Sequence, residues 1–334
     1  MRILVTGGAG FIGSHYVRTA LAGGYPGFEQ AEVTVLDKLS YAGNTANLAA
    51  VAGHPALTFV QGDVCDPDLV GDVVAGHDFV LNFAAESHVD RSIASAADFV
   101  SANVCGVQVI AQACLDAGVR RLVHVSTDEV YGSVAAGSAS EDAMLDPSSP
   151  YSASKAGGDL LALAYARTHG LDVRITRGAN TYGPYQYPEK VIPLFVTNLL
   201  DGQPVPLYGD GKNVRNWLHV DDHCRGIQLA LCNGQPGRVY HIAGETELSN
   251  IELTRMVLDR CGASWNMVRR VADRKGHDRR YSLDDSRLRA LGYEPTVSFG
   301  AGLTATVEWY RQNRPWWEPL KDGLRAQAAG GIPR

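Results

Sequence analysis

Seven residues near the start of the chain restrict its fold more than any other stretch. Arg2 to Thr6 is a short apolar run of strand character, Gly7-Gly-Ala-Gly10-Phe-Ile-Gly13 comes directly after it, and an apolar helical pattern continues to about Leu21. A G-x-x-G-x-x-G spacing alone is a weak pattern. Between a strand and a helix it becomes a dinucleotide cradle. Gly7 and Gly10 permit a tight turn and the close approach of a pyrophosphate, and Gly13 lets the helix lie against the strand. The helix N-terminus, at Phe11 and Ile12, then faces the phosphates.

The next strands extend that cradle. Glu32 to Leu36 is a second strand pattern ending at Asp37, 24 residues after Gly13. A carboxylate at this strand tip accepts ribose hydroxyls and repels a 2′-phosphate, whereas a cation such as Lys38 would meet that phosphate. The carboxylate makes NAD the expected cofactor. Leu57 to Gln61 is a third strand, with Asp63 and Val64 beyond its tip where adenine would lie. Phe79 to Phe83 is a fourth, and the small residues after Phe83, beginning with Ala84 and Ala85, let the chain pass close to the cofactor. Ala94 to Ala117 has a long helical pattern. This alternation continues to a strand at Val173 to Thr176, and it implies an α/β fold with a Rossmann-type doubly wound parallel sheet.

The chemistry concentrates in residues 126–155. Arg121 to Val125 is apolar and β-branched, as a buried parallel strand would be, and it delivers Ser126-Thr-Asp-Glu-Val-Tyr-Gly132 to its carboxyl end. Ligands bind at that end in open α/β sheets. Tyr151 and Lys155 are four residues apart, so a helix running to about His169 places them on one face. A Lys⁺ beside a phenol favours phenolate, which makes Tyr151 a candidate general base. With Thr127, Asp128 and Glu129 close by, the stretch has the groups to move several protons. Alone, Tyr-x-x-x-Lys is common in helices and Asp128-Glu129 fits a solvated loop. Their place behind a dinucleotide cradle carries the reading.

The 334 residues suffice for a large core, and the net charge of −6 argues against a nucleic-acid partner. The six cysteines, at 65, 105, 114, 224, 232 and 261, include no C-x-x-C and suit thiols of a reducing compartment. No apolar run approaching the ~20 residues of a membrane helix is evident, and the first residues do not resemble a signal peptide. A cytoplasmic location is expected. His219-Val-Asp-Asp-His223 has a metal-ligand spacing, but Asp221 is a natural N-cap, so His219 should precede the helix, and no metal is expected.

After Arg177 the pattern becomes turn-rich. Pro188 to Pro193 opens a helix, Pro204 to Tyr208, Gly209 to Arg215 and Asn216 to Asp222 alternate short strands with loops, and further helices start near Asp221, Asn250 and Gly300. The expected division is a NAD-binding domain with the catalytic residues over 1–179 and a smaller mixed α/β substrate lobe over 180–325. Some elements of that lobe could return to the first domain, and a frayed tail is expected over 326–334.

These motifs resemble the extended short-chain dehydrogenase/reductases and, among them, the nucleotide-sugar 4,6-dehydratases. The resemblance runs from Gly7 to Trp317. It rests on Leu36 to Asn44, Ala84 to Ser92, Ser126 to Tyr131, Tyr151 with Lys155, Tyr182 to Gln186 and Asp273 to Asp278. The Thr127-Asp128-Glu129 triplet is its specific part. The resemblance implies a dTDP-hexose substrate, most simply dTDP-glucose. The implied reaction is C4 oxidation with NAD, water elimination across C5 and C6, and hydride return to C6. Tyr151, helped by Lys155 and Thr127, would take the 4-hydroxyl proton, Glu129 the C5 proton, and Asp128 would protonate the leaving hydroxyl. It also implies Leu39, Ser40 and Ser126 beside the cofactor, and Ser87, Asn180, Lys190 and Val191 along the substrate. Pro206 and Tyr208 would frame the base, Arg215 and Asn250 the diphosphate, with Arg274 and His277 in the same pocket. The resemblance further implies a homodimer in which the 94–117 and 152–169 helices pair with their copies across a two-fold axis.

The chain departs from the pattern at Gly178-Ala-Asn-Thr181, where the family has a Cys and two Asn. Competing readings are a nucleotide-sugar 4-epimerase or decarboxylase, or a non-catalytic NAD(H)-binding regulator. Asp128 with Glu129 argues against the first two, and the presence of both Tyr151 and Lys155 against the third.

Overall fold

A computed structural model of the chain describes residues 1–329. The first half alternates strand and helix: β1 (Arg2–Thr6), α1 (Phe11–Leu21), β2 (Glu32–Asp37), β3 (Leu57–Gln61), α2 (Pro67–Val74) and β4 (Phe79–Asn82). It continues with α3 (Val89–Ala94), α4 (Ala97–Val100), α5 (Gly106–Asp116), β5 (Arg121–Thr127), α6 (Pro150–His169) and β6 (Val173–Gly178). The second half has β7 (Asn180–Tyr182), α7 (Val191–Leu200), β8 (Val205–Tyr208), β9 (Val214–His219), α8 (Val220–Asn233), β10 (Arg238–Ile242) and β11 (Thr246–Ser249). It ends with α9 (Asn250–Cys261), β12 (Val268–Val271), α10 (Ser286–Arg289), α11 (Phe299–Gln312) and α12 (Arg314–Ala329).

Seven strands form one parallel sheet in the order β10-β6-β5-β4-β1-β2-β3. Its central strands are continuous apolar runs, as burial on both faces requires. One face buries Ile3, Val5, Leu81 and Val123 against α1 and α8, and the other buries Leu4, Val80, Leu122 and Ile175 against α5 and α6. A separate core around Trp217, Leu253, Phe299 and Trp317 holds the smaller lobe, whose sheets are β11-β9-β7 and β12-β8. The order reverses between β1 and β4, which opens a crevice at the strands' carboxyl ends. Gly13 sets how closely α1 approaches, since a Cβ there would run into the Gly7 carbonyl oxygen.

Five expectations need correction. The 94–117 helix is broken at Ser95, which is extended, and then runs unbroken over Ala97–Asp116 with a π-helical turn at Ser101–Cys105. Contrary to the expectation from sequence, Ala97–Asp116 is long and apolar enough by length and composition to cross a membrane. In this fold it packs between α2 and α6, and its buried Asn103 bonds Glu86 and Ser154. The cap of α8 is His219, whose ring accepts the Asp221 N–H at 3.3 Å, so Asp221 is not the N-cap although His219 does precede the helix. The strand expected to run through Asp222 therefore stops at His219. Of the expected frayed tail, 326–329 belong to α12 and 330–334 lie outside the described residues. The return of chain to the main sheet does occur, through β10 with α8 packed beside it. All six cysteines are free thiols.

Candidate active site

The carboxyl ends of β1, β2, β4, β5 and β6 surround a cavity of about 560 Å³. Gly7, Gly10, Phe11, Ile12 and Gly13 form one wall, Asp37, Lys38, Ser40, Asp63 and Val64 one end, and Phe83, Ala84, Ala85 and Ser87 the side. Ser126 to Glu129, Tyr151, Lys155, Asn180 and Lys190 form the other end. Segments far apart in the chain thus converge where the strand tips meet. Gly7 has φ +68°, and a Cβ there would stand 2.6 Å from the Ala84 nitrogen, so only glycine leaves this passage open.

Asp37 is buried and held from both sides. Its Oδ2 accepts the Ala9 N–H at 2.9 Å and its Oδ1 the Leu39 N–H at 2.8 Å. Each oxygen retains a lone pair for a hydroxyl. Lys38 pairs with Asp63 at 2.7 Å, so its charge already has a partner inside the protein. Leu39 does not line the cavity and serves by its backbone N–H and a left-handed turn, φ 56°.

At the other end Thr127 ends β5 and caps the turn Asp128–Tyr131, accepting the Glu129 N–H at 3.3 Å and donating to Asp128 Oδ1 at 3.2 Å. Helix α6 begins with a capping box between Ser149 and Ser152 and Pro150 in its first turn, which fixes where Tyr151 and Lys155 stand. The Asp128 carboxyl is buried, and that burial, reinforced by the Glu129 charge, pushes its pKa up to about 8. Burial also raises Glu129, against the pull of Arg274, Arg215 and Lys190. Two neighbouring carboxyls therefore differ in their readiness to hold a proton.

The expected effect of Lys155 on Tyr151 is corrected by the surroundings. Burial and the charge of Glu129 hold the phenol well above its ordinary range, against a Thr127 hydrogen bond that lowers it. The Lys155 ammonium donates to the Val125 carbonyl at 2.8 Å, and burial brings its own pKa down to about 8. Lys155 shares the face of Tyr151 as helical spacing requires, but its hydrogen bond goes to the strand.

Ser126 Oγ, Asp128 Oδ2 and Asn180 Oδ1 are buried without hydrogen-bond partners, and all three residues line the cavity. A polar ligand would satisfy such atoms. With the glycine passage at one end and Asp37 near it, the residues fit a dinucleotide laid along the strand tips.

The other expected substrate residues stand beyond this cavity. Val191 begins α7, and Lys190 next to it donates to the Ser87 carbonyl at 2.6 Å. Pro206 and Tyr208 lie on β8, paired with β12, and the Tyr208 ring meets His277 edge-on at 6.2 Å. Arg215 is on β9, Asn250 opens α9, and Arg274 comes after β12. The fields of Arg215 and Arg274 both reach Glu129, so the smaller lobe brings cations to the catalytic end.

Several cavity residues were not expected from the sequence, Glu86 and His223 among them. Glu86 lines the side wall beside Ser87. His223, weighed only as a metal ligand, lines the cavity and bonds Thr181 Oγ1 at 2.7 Å. A Cβ at Gly178 would lie 2.5 Å from the His223 ring, so the departures at Gly178 and Thr181 form one packed unit with His223. The spacing of His223 to His219 drew attention to the wrong chemistry.

A parallel seven-stranded sheet, a glycine passage, a tip carboxylate and Tyr151 with Lys155 on one helix define an extended short-chain dehydrogenase/reductase. Residues 4–306 match the family described as GDP-mannose 4,6 dehydratase, and the chain belongs to that family. It is 60% identical over 332 residues to the dTDP-glucose 4,6-dehydratase of Streptomyces niveus, covering 99% of each chain. The crystal structure of the dTDP-glucose 4,6-dehydratase DesIV from Streptomyces venezuelae, with NAD and TYD bound, superposes with a TM-score of 0.95. Identity is 63%, over 96% of this chain and all of that one, a coverage of 100%. A UDP-glucose 4-epimerase from Thermus thermophilus, in complex with NAD, shares the fold at 32% identity and a TM-score of 0.85, covering 94% of this chain and 100% of that one.

Proposed function

We propose that the chain converts dTDP-glucose to its 4-keto-6-deoxy sugar nucleotide with NAD as a resident cofactor, as a dTDP-glucose 4,6-dehydratase. The observation that carries this is the pair Asp128 and Glu129 beside Tyr151 in one cavity, with burial favouring the proton on Asp128. Oxidation alone would need only Tyr151, and two further carboxyls suit loss of water. The 60% identical Streptomyces niveus relative carries the same activity in its name.

NAD, when bound, would accept a hydride from sugar C4 and return that hydride to C6. Tyr151 receives the 4-hydroxyl proton, with Thr127 holding the phenol and Lys155 keeping positive charge beneath it. The new ketone acidifies C5–H, and Glu129 takes that proton. Asp128, protonated at neutral pH because its pKa is about 8, gives its proton to the departing 6-hydroxyl, and water leaves. Asp37 and the glycine passage orient the dinucleotide, while Ser87, Asn180 and Lys190 hold the sugar. The diphosphate falls to Arg215 and Asn250, Arg215 being suited to a bidentate contact. Pro206, Tyr208, Arg274 and His277 frame the nucleoside. In this reading residues 1–179 carry cofactor and catalysis and the lobe from 180 carries the sugar nucleotide, with 220–242 returning to the sheet. The test is incubation with dTDP-glucose and no added cofactor. A product lighter by one water is expected, and free NADH in proportion to product would instead indicate a plain dehydrogenase.

The same reading places the protein in the cytoplasm as a homodimer. Val100 and Leu160 are exposed apolar side chains on the Ala97–Asp116 helix and α6, the two helices that would pair across a two-fold axis. Sedimentation should show a species of about twice the 35.8 kDa chain mass. A single species at the chain mass at micromolar concentration would refute the dimer.

A further inference from the structure

Tyr281 comes from a segment remote in sequence yet reaches Glu129. Its backbone N–H donates to the Val214 carbonyl at 3.3 Å, and flanking bridges pair Arg280 with Val214 and Leu283 with Ala139. The side chain is buried, and the Arg215 guanidinium lies 4.2 Å from its ring centroid. The phenol oxygen stands 2.8 Å from Asp278 Oδ2 and 3.5 Å from Glu129 Oε2. Asp278 is itself buried and fixed. Its Oδ1 accepts the Ser148 hydroxyl at 2.6 Å, and its carbonyl accepts Asn213 Nδ2 at 3.1 Å and Arg215 at 3.0 Å.

A phenol has one proton, and here it faces two carboxyls. The 2.8 Å contact is a full hydrogen bond and the 3.5 Å contact is at the outer limit, so the proton points to Asp278 and a lone pair faces Glu129. A Glu129 carboxylate gains nothing from that lone pair. A Glu129 carboxylic acid can donate to it.

We infer that Tyr281 and Asp278 form a relay behind Glu129 that takes up the proton Glu129 removes from the substrate and hands one back. This rests on the reading of Glu129 as the C5 base. The proton moves from C5 to the Glu129 carboxylate. The acid donates it to the phenol oxygen as the phenol passes its own proton to Asp278. Glu129 returns to carboxylate, Asp278 becomes the acid, and Tyr281 is unchanged. Run in reverse, the same bonds return a proton to Glu129 for C5. Tyr281 touches neither substrate nor cofactor in this scheme and acts as a positioning residue.

The groups facing Glu129 set the direction of the pH effect. Arg274, Arg215 and Lys190 favour its charged form, while burial and Asp278 oppose it, with Asp128 and Tyr151 alongside. Removing the phenol removes an acceptor that favours the protonated form. The acid limb of kcat should then move to lower pH, and Asp278→Asn should move it the same way by removing an opposing charge.

The experiment uses Tyr281→Phe in the holoenzyme, which keeps the ring under Arg215, with Asp278→Asn as the second variant. Each should lower kcat by about 10- to 100-fold with KM unchanged, let reduced-cofactor absorbance build up during turnover, and shift the acid limb down. An unchanged kcat, a loss confined to KM, or an acid limb moving up would overturn the relay. Glu129→Gln is measured in parallel. If it turns over near the wild-type rate, the base assignment fails and the relay with it. If it accumulates reduced cofactor while Tyr281→Phe does not, the relay alone is overturned.

Discussion

Tyr151→Phe should reduce turnover of dTDP-glucose by about 10²- to 10⁴-fold, with the bound cofactor remaining oxidised throughout. The substitution removes one oxygen from a side chain whose ring meets Phe99 edge-on at 6.3 Å, so the helix and its packing are retained. What is lost is the group that accepts the 4-hydroxyl proton, and without it no later step begins. The structure adds a requirement that helical spacing did not show. The phenol is buried next to Glu129 and resists ionisation, while Lys155 is bonded to Val125. Tyr151 can take the 4-hydroxyl proton only as phenolate, so it must first release its own proton to solvent, and the Lys155 charge in the same surroundings favours that anion. Lys155→Met should slow the same step, again with oxidised cofactor. Absorbance of the bound cofactor during a single turnover checks both variants, and a build-up of reduced cofactor in Tyr151→Phe would show that another base serves C4.

Glu129→Gln should fail later. It keeps size and shape but cannot take the C5 proton, so oxidation at C4 proceeds, more slowly, and reduced cofactor accumulates without product. The expected loss of turnover is again about 10²- to 10⁴-fold. Asp128→Asn should slow elimination for want of an acid, with partial accumulation. The pH dependence separates the two carboxyls. Glu129 must be ionised to act, so the rate rises with pH through its range. Asp128 must be protonated, and its pKa of about 8 makes the rate fall as pH climbs past that value. Lys155, also near 8, loses its charge over the same interval. Asp128→Asn should therefore lower the plateau and leave the falling limb to Lys155. If Glu129→Gln blocks oxidation as completely as Tyr151→Phe, the division between oxidation and elimination is wrong.

Much of this arrangement was legible in the residues because local rules governed it. The glycine run, the strand ending at Asp37 and the i, i+4 pair on α6 each arise from backbone geometry over a few residues. The capping box at Ser149, which fixes the start of α6, was not read from the sequence. What else escaped depends on distant chain. The break at Ser95 falls where the apolar pattern has no Gly or Pro to announce it, since Gly106 lies further on, inside the helix. His223 joined the cavity because Gly178 leaves room for its ring, a fact of packing between α8 and β6. Tyr281 reaches Glu129 across 152 positions of sequence, and no periodicity records that. The pKa of Tyr151 depends on how deeply the sheet and α6 bury it, which spacing to Lys155 does not report.

In the proposed reaction, oxidation and reduction occur within one bound sugar, with the electrons taken at C4 returned at C6. Turnover of dTDP-glucose carrying deuterium at C4 tests this most directly. The expected result is product with the deuterium at C6, no dilution by added unlabelled NADH, and no free NADH formed. Deuterium lost to water, or found in NADH released in proportion to product, would contradict it.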